Sequence, residues 1–98
     1  MKIEVLYLEG CPNHRPTVDL VKKVSTDLGI PDDPTEVRIT NDEEARRLRF
    51  LGSPTVQVNG VDIDPSPITG YGMSCRTYNG SGIPSREVIE DAIKAALP

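Results

Sequence analysis

Between Ile3 and Leu8 the chain is almost wholly apolar, with Ile3, Val5 and Tyr7 on one side of an extended backbone and Leu6 and Leu8 on the other. A strand apolar on both faces is a central one, covered by helices on either side. The period then changes. Val18, Val21, Val24 and Leu28 recur at helical spacing while Lys22, Lys23 and Asp27 fall off that stripe, which predicts a helix. Pro12 and Pro16 suit positions in or before its first turn, and Gly29 with Pro31 stops it. Asp32-Asp33-Pro34 is a connector. Thr35 to Thr40 alternates as a second strand, with Val37 and Ile39 inward. Asn41 is a good N-cap with Glu44 in capping-box register. The helix that follows is expected to run through Leu51, with Ala45, Leu48 and Leu51 apolar and Gly52 as its stop.

Thr55-Val56-Gln57-Val58, Asn59-Gly60, Val61-Asp62-Ile63-Asp64 predicts a hairpin, because Asn-Gly satisfies the positive φ that a two-residue turn requires. Its register puts Val56, Val58, Val61 and Ile63 on one face. The other face carries Thr55, Gln57, Asp62 and Asp64, and is expected to be wetter. From Pro65 to Gly82 the pattern gives way to Pro, Ser, Gly, Thr and Tyr, a long loop over 65–83; a stretch of that length in a compact domain is usually functional or disordered. Ser85 caps a last helix with Val88, Ile89, Ala92, Ile93, Ala96 and Leu97 on one stripe. The order is β-α-β-α-β-β-α, an α/β fold. The first β-α-β forms a right-handed parallel unit and the hairpin adds an antiparallel pair.

A chain of 98 residues supports a single domain over 1–98. With no Trp and one Phe, its core rests on Val, Leu and Ile. A net charge of −4 argues against nucleic acid and against an anionic membrane surface. No stretch approaches the length that spans a bilayer. Glu4 interrupts the apolar start and no small-residue cleavage site follows, so no signal peptide is expected and the cytoplasm is the expected location. Two cysteines are too few for a disulfide scaffold or a four-thiolate zinc site. In a reducing compartment they are free, catalytic or metal-handling rather than structural.

Cys11 lies in Glu9-Gly10-Cys11-Pro12-Asn13-His14, directly after the first strand and at the opening of the first helix. A thiol attacks only as thiolate, and a helix N-terminus favours that anion. The plainer alternative is a small half-buried cysteine at a turn.

The element order, with a cysteine after the first strand, resembles the thioredoxin and glutaredoxin fold. Gly10-Cys11-Pro12-Asn13-His14 is similar to the glutaredoxin Gly-Cys-Pro-x-Cys turn, with Cys11 at the attacking position. Leu51-Gly52-Ser53-Pro54-Thr55-Val56 looks like the segment that brings the family's cis-proline into the third strand. The resemblance covers Met1 to about Asp64, and the last helix fits the family's final one. It implies a four-stranded mixed sheet flanked by helices and a cis Ser53–Pro54 bond set against the Cys11 sulfur. It also implies a substrate site at Pro12, Ser53, Pro54 and Thr55 with backbone open to a partner. The sequence departs from the family where His14 stands in place of the second cysteine. An imidazolium there could hold the Cys11 thiolate, or His14 could be an exposed first-turn side chain.

Cys75 lies in the long loop, which leaves Asp64 at the sheet edge where Cys11 sits and is long enough to bring the two sulfurs together. Arg76 beside it is expected to favour its thiolate. Three functions follow. One is a thiol–disulfide oxidoreductase, with Cys11 attacking, Cys75 resolving and His14 assisting, on a protein or low-molecular-weight thiol or disulfide and with no cofactor. A second is soft-metal binding by Cys11, Cys75 and His14. The third is a binding module that kept the fold without the chemistry.

Overall fold

The all-apolar opening run becomes a central strand because both of its faces find a core. In the computed structural model, which describes residues 1–65, 70–78 and 80–97, strand β1 (Ile3–Tyr7) lies inside a four-stranded mixed sheet. Its neighbours are β2 (Thr35–Arg38), paired parallel, and β3 (Thr55–Val58), paired antiparallel, and β4 (Val61–Asp62) completes the order β2-β1-β3-β4. Helices α1 (His14–Asp27) and α3 (Arg86–Ala96) share one core with the sheet, where Ile3 and Val5 meet Val18, Val21, Val24, Val56, Val58, Ile89 and Ile93. Leu6 points the other way, into a smaller core with Ile39, Ala45 and Phe50 beside α2 (Asp42–Arg47). Burying an aliphatic side chain of this size contributes roughly 1.5–3 kcal/mol, so the larger core anchors the fold.

The helix ends follow local chemistry. Asn41 Oδ1 accepts the Glu44 N–H at 2.7 Å and Ser85 Oγ accepts the Val88 N–H at 3.2 Å. α1 closes on Gly29 at φ 76°, with the Ile30 N–H donated to Ser25 O at 2.8 Å. α2 ends earlier than the expected Leu51. Arg49 takes φ 58°, its N–H is donated to Arg46 O, and the Phe50 N–H is donated to Ala45 O at 2.8 Å. That is a Schellman closure in which an arginine stands where glycine is commonest, with Phe50 and Ala45 in apolar contact beneath it. Gly52 is therefore not the helix stop; its own role lies at the site described below.

The hairpin turns at Asn59 and Gly60, both at positive φ. Val58 pairs with Val61, and the Ile63 N–H is donated to Val56 O at 3.1 Å, the expected register. Val61, at the edge, is 66% exposed, although Val56 and Val58 on its face are buried. One expectation about the faces needs correction. The face expected to be wet is buried at Thr55 and Gln57: residues 74–78 come back over Thr55, and the Gln57 side chain donates to Leu48 O at the end of α2 at 3.0 Å. Of the long segment 65–83, residues 66–69 and 79 lie outside the described residues. No helix among the described residues is long and apolar enough to cross a membrane.

Candidate functional site

β1 delivers its chain at Leu8 to a tight turn. The Cys11 N–H is donated to Leu8 O at 3.1 Å, and Cys11 O accepts the His14 N–H at 3.3 Å. Cys11 is partly buried, with a free thiol, and Pro12 beside it is exposed. The helix begins at His14 with Asn13 as its cap, so Cys11 precedes α1 rather than opening it. The donors at that helix end are also reduced in number. Pro16 has no N–H, and the His14 N–H is already committed to Cys11 O.

Ser53 links the turn to the rest of the site. Its Oγ accepts the Leu8 N–H at 3.0 Å. The Ser53–Pro54 peptide is cis. On its other side, the Ser53 N–H is donated to Ser74 O at 2.8 Å and Ser53 O accepts the Arg76 N–H at 3.0 Å, a parallel bridge between Ser53 and Cys75. The backbone expected to be open to a substrate is therefore occupied by the chain's own segment 74–76. Ser53, Pro54 and Thr55 are buried, so of the four expected substrate-binding residues only Pro12 meets solvent. Thr55 Oγ1 is turned inward, donating to Gly52 O at 2.5 Å.

Successive residues of the returning segment face opposite ways. Cys75 is exposed with a free thiol, while Arg76 is buried. The Arg76 guanidinium forms two bonds with Asp62, Nη1 to Oδ2 at 2.7 Å and Nη2 to Oδ1 at 2.9 Å. It also donates to Asp64 O at 2.5 Å and to Thr55 Oγ1 at 3.3 Å, and lies 4.4 Å from the centre of the Tyr78 ring. Burial opposes its charge, but the Asp62 hydrogen bonds, with Tyr78 and Asp64 adding attraction, outweigh that and raise its pKa. Arg76 was expected to favour the Cys75 thiolate; instead its charge is spent on Asp62. Tyr78 donates its hydroxyl to Pro54 O at 2.6 Å, and burial pushes its phenol pKa up against the opposing pull of Arg76.

Gly52 explains how closely the segment approaches. At φ 132°, a Cβ on it would stand 2.9 Å from Arg76 Cβ and 3.2 Å from Ser74 O. Only glycine meets both conditions.

His14 is held between a strand residue and a carboxylate and does not stand free in solvent. Its ring stacks on Tyr7 with centroids 3.6 Å apart and planes 4° from parallel, and Nε2 lies 2.7 Å from Glu36 Oε1. Arg15 Nη2 donates to the same carboxylate oxygen at 3.1 Å. The parity of β2 makes this contact. Val37 and Ile39 belong to the α2 core, so Glu36 faces the side on which α1 begins. Among the described residues no three His, Cys, Asp or Glu side chains cluster to hold a metal ion, so Cys11, Cys75 and His14 are not assembled as the ligand set expected for a soft metal.

Three residues of the site went unrecognised in the sequence: Glu36, Asp62 and Tyr78. Asp62 carried the one available signal, an acidic residue in a strand beside an isolated Arg in the loop. Compared with family models, curated proteins and solved structures, the chain matches none.

Proposed function

We propose that this chain is a thioredoxin-like thiol–disulfide oxidoreductase or redox carrier in which Cys11 attacks and Cys75 resolves. The observation that carries the reading is the position of Ser53, hydrogen-bonded on one side to the Leu8 end of the Cys11 turn and on the other to the residues flanking Cys75. Both thiols are free, and each belongs to a backbone segment held in register with the same residue. The cis Ser53–Pro54 bond and the strand order β2-β1-β3-β4 support the family resemblance.

The chemistry balances in two displacements. The Cys11 thiolate attacks one sulfur of a disulfide; a Cys11–sulfur bond forms as the disulfide bond breaks, and one thiolate leaves. The Cys75 thiolate then attacks the Cys11 sulfur, expels the second thiolate and closes a Cys11–Cys75 bond. Two electrons pass from the cysteine pair to the substrate. A thiol of low molecular weight, itself oxidised to its disulfide, returns the pair to the reduced state.

The test is exchange with hydroxyethyl disulfide followed by mass spectrometry. Wild type should release both mercaptoethanol equivalents and close an internal bond. Cys75→Ser should stop at a mixed disulfide on Cys11. A Cys11 that reacts no faster than an unstructured peptide thiol contradicts the reading and favours a binding module without redox chemistry.

A further inference from the structure

We propose that residues 74–76 fill the place where an extended polypeptide would dock beside Cys11, and that this restricts the site to low-molecular-weight disulfides. The inference rests on the thiol–disulfide reading above and narrows its substrate class.

A polypeptide held beside a strand is recognised through its backbone, which needs an unpaired N–H and C=O on the receiving residue. At the end of β3 nearest the Cys11 turn, that residue is Ser53. Its N–H is spent on Ser74 O, its C=O on the Arg76 N–H, and its hydroxyl on the Leu8 N–H. The turn is committed too, since Cys11 N–H is bonded to Leu8 O and Cys11 O to the His14 N–H. A peptide could pair here only by displacing residues 74–76.

Those residues are not loosely laid. Arg76 is fixed from below by both Asp62 carboxylate oxygens, and Tyr78 by Pro54 O. The Arg76 and Asp62 side chains are only 7% and 10% exposed, so water screens the pair weakly. Gly52 lets the segment approach to a distance that leaves no room for another chain. A small disulfide needs none of these backbone groups. It needs only the thiols, and Cys11 is partly exposed while Cys75 and Pro12 are exposed.

The experiment compares two substrates on the reduced full chain: hydroxyethyl disulfide, and the disulfide-linked dimer of a pentapeptide with a central cysteine. Each rate is normalised to the same reaction of an unstructured peptide thiol. Wild type should react with the peptide disulfide more slowly by about tenfold or more, because two backbone hydrogen bonds must open first. Arg76→Met, which releases the segment, should narrow that gap. Equal normalised rates in wild type overturn the restriction and leave the thiol–disulfide reading intact. Two rates no faster than the control overturn that reading instead.

A second measurement judges the docking itself without any thiol chemistry. The Ser53 amide signal of wild type is followed as the same pentapeptide, with serine in place of its cysteine, is added. The signal should stay in place. A saturating shift at Ser53 overturns the proposal.

Discussion

Ser53 and Cys75 are partners across a parallel bridge, so the residue preceding the cis proline is hydrogen-bonded to both neighbours of the exposed thiol, Ser74 and Arg76. The alternation of an extended chain then sends Cys75 outward and Arg76 inward. The inward residue fixes the position of the outward one, and the stability of the site depends on the ion pair beneath it.

Removing one partner of that ion pair leaves the other charge buried alone. Asp62→Ala should lower the unfolding free energy by about 3 kcal/mol or more in urea denaturation. The double change Arg76→Met with Asp62→Leu should cost less than the single one, since no charge is stranded. A loss below about 1 kcal/mol for Asp62→Ala is what an exposed pair gives, and contradicts the burial assigned to Arg76.

Gly52→Ala opposes both the backbone and the packing at that position. With φ at 132° and Arg76 Cβ at 2.9 Å from the new methyl, the substitution should cost at least about 1–3 kcal/mol. Cys75 alkylation should also quicken as the segment lifts. Unchanged stability and an unchanged Cys75 rate contradict the close approach.

Tyr78 gives the protein an alkaline limit. Burial holds its folded pKa above the unfolded value of about 10, so the folded state keeps a proton that the unfolded state gives up. The stabilisation is fully present below pH about 10 and is lost as pH rises toward the folded pKa. Denaturation midpoints from pH about 9 to 11 should fall more steeply for wild type than for Tyr78→Phe. At neutral pH Tyr78→Phe should be the less stable protein, having lost the bond to Pro54 O. Parallel midpoint curves contradict the buried phenol.

Much of the fold was legible from the residues. The two-faced apolar run at β1, the Val18–Val21–Val24 stripe, the Asn41 and Ser85 caps and the Asn59-Gly60 turn are local signals, and each element formed where its signal lay. Cys11 could be singled out because a strand-turn-helix is also local, and Ser53 and Pro54 because their segment resembles the family's cis-proline segment. What failed was non-local. The inward face of Thr55 and Gln57 is polar by composition; the return of Arg76 and Tyr78 covers Thr55, and Gln57 is bonded to Leu48 O at the end of α2. Arg49 ends α2 through tertiary closure of Phe50 over Ala45, which residue preference alone assigns to Gly52. His14 lies near Cys11 in sequence, whereas its partners Tyr7 and Glu36 come from two strands.

The tie between His14 and Glu36 predicts a structural role rather than one on the thiol. His14→Gln and Glu36→Gln should each leave the Cys11 alkylation rate within about twofold of wild type, the effect of a surface change of about 0.5 kcal/mol. A fall of about tenfold in both variants shows that the pair acts on Cys11.

Among the described residues, two buried hydroxyls on α1 have no hydrogen-bond partner, those of Thr17 and Ser25. A buried hydroxyl without a partner costs about 1–3 kcal/mol. Thr17→Val, equal in shape, should raise stability by about 1 kcal/mol, and Ser25→Ala should be neutral or better. A loss of stability in Thr17→Val shows that the hydroxyl has a partner.

Mild oxidation of the dilute reduced chain with one equivalent of diamide, followed by non-reducing peptide mapping, reads the pairing of the two thiols directly. The predicted product is a monomer in which the peptide carrying Cys11 is linked to the peptide carrying Cys75. Intermolecular dimers alone, with no internal Cys11–Cys75 link, contradict the resolving role of Cys75.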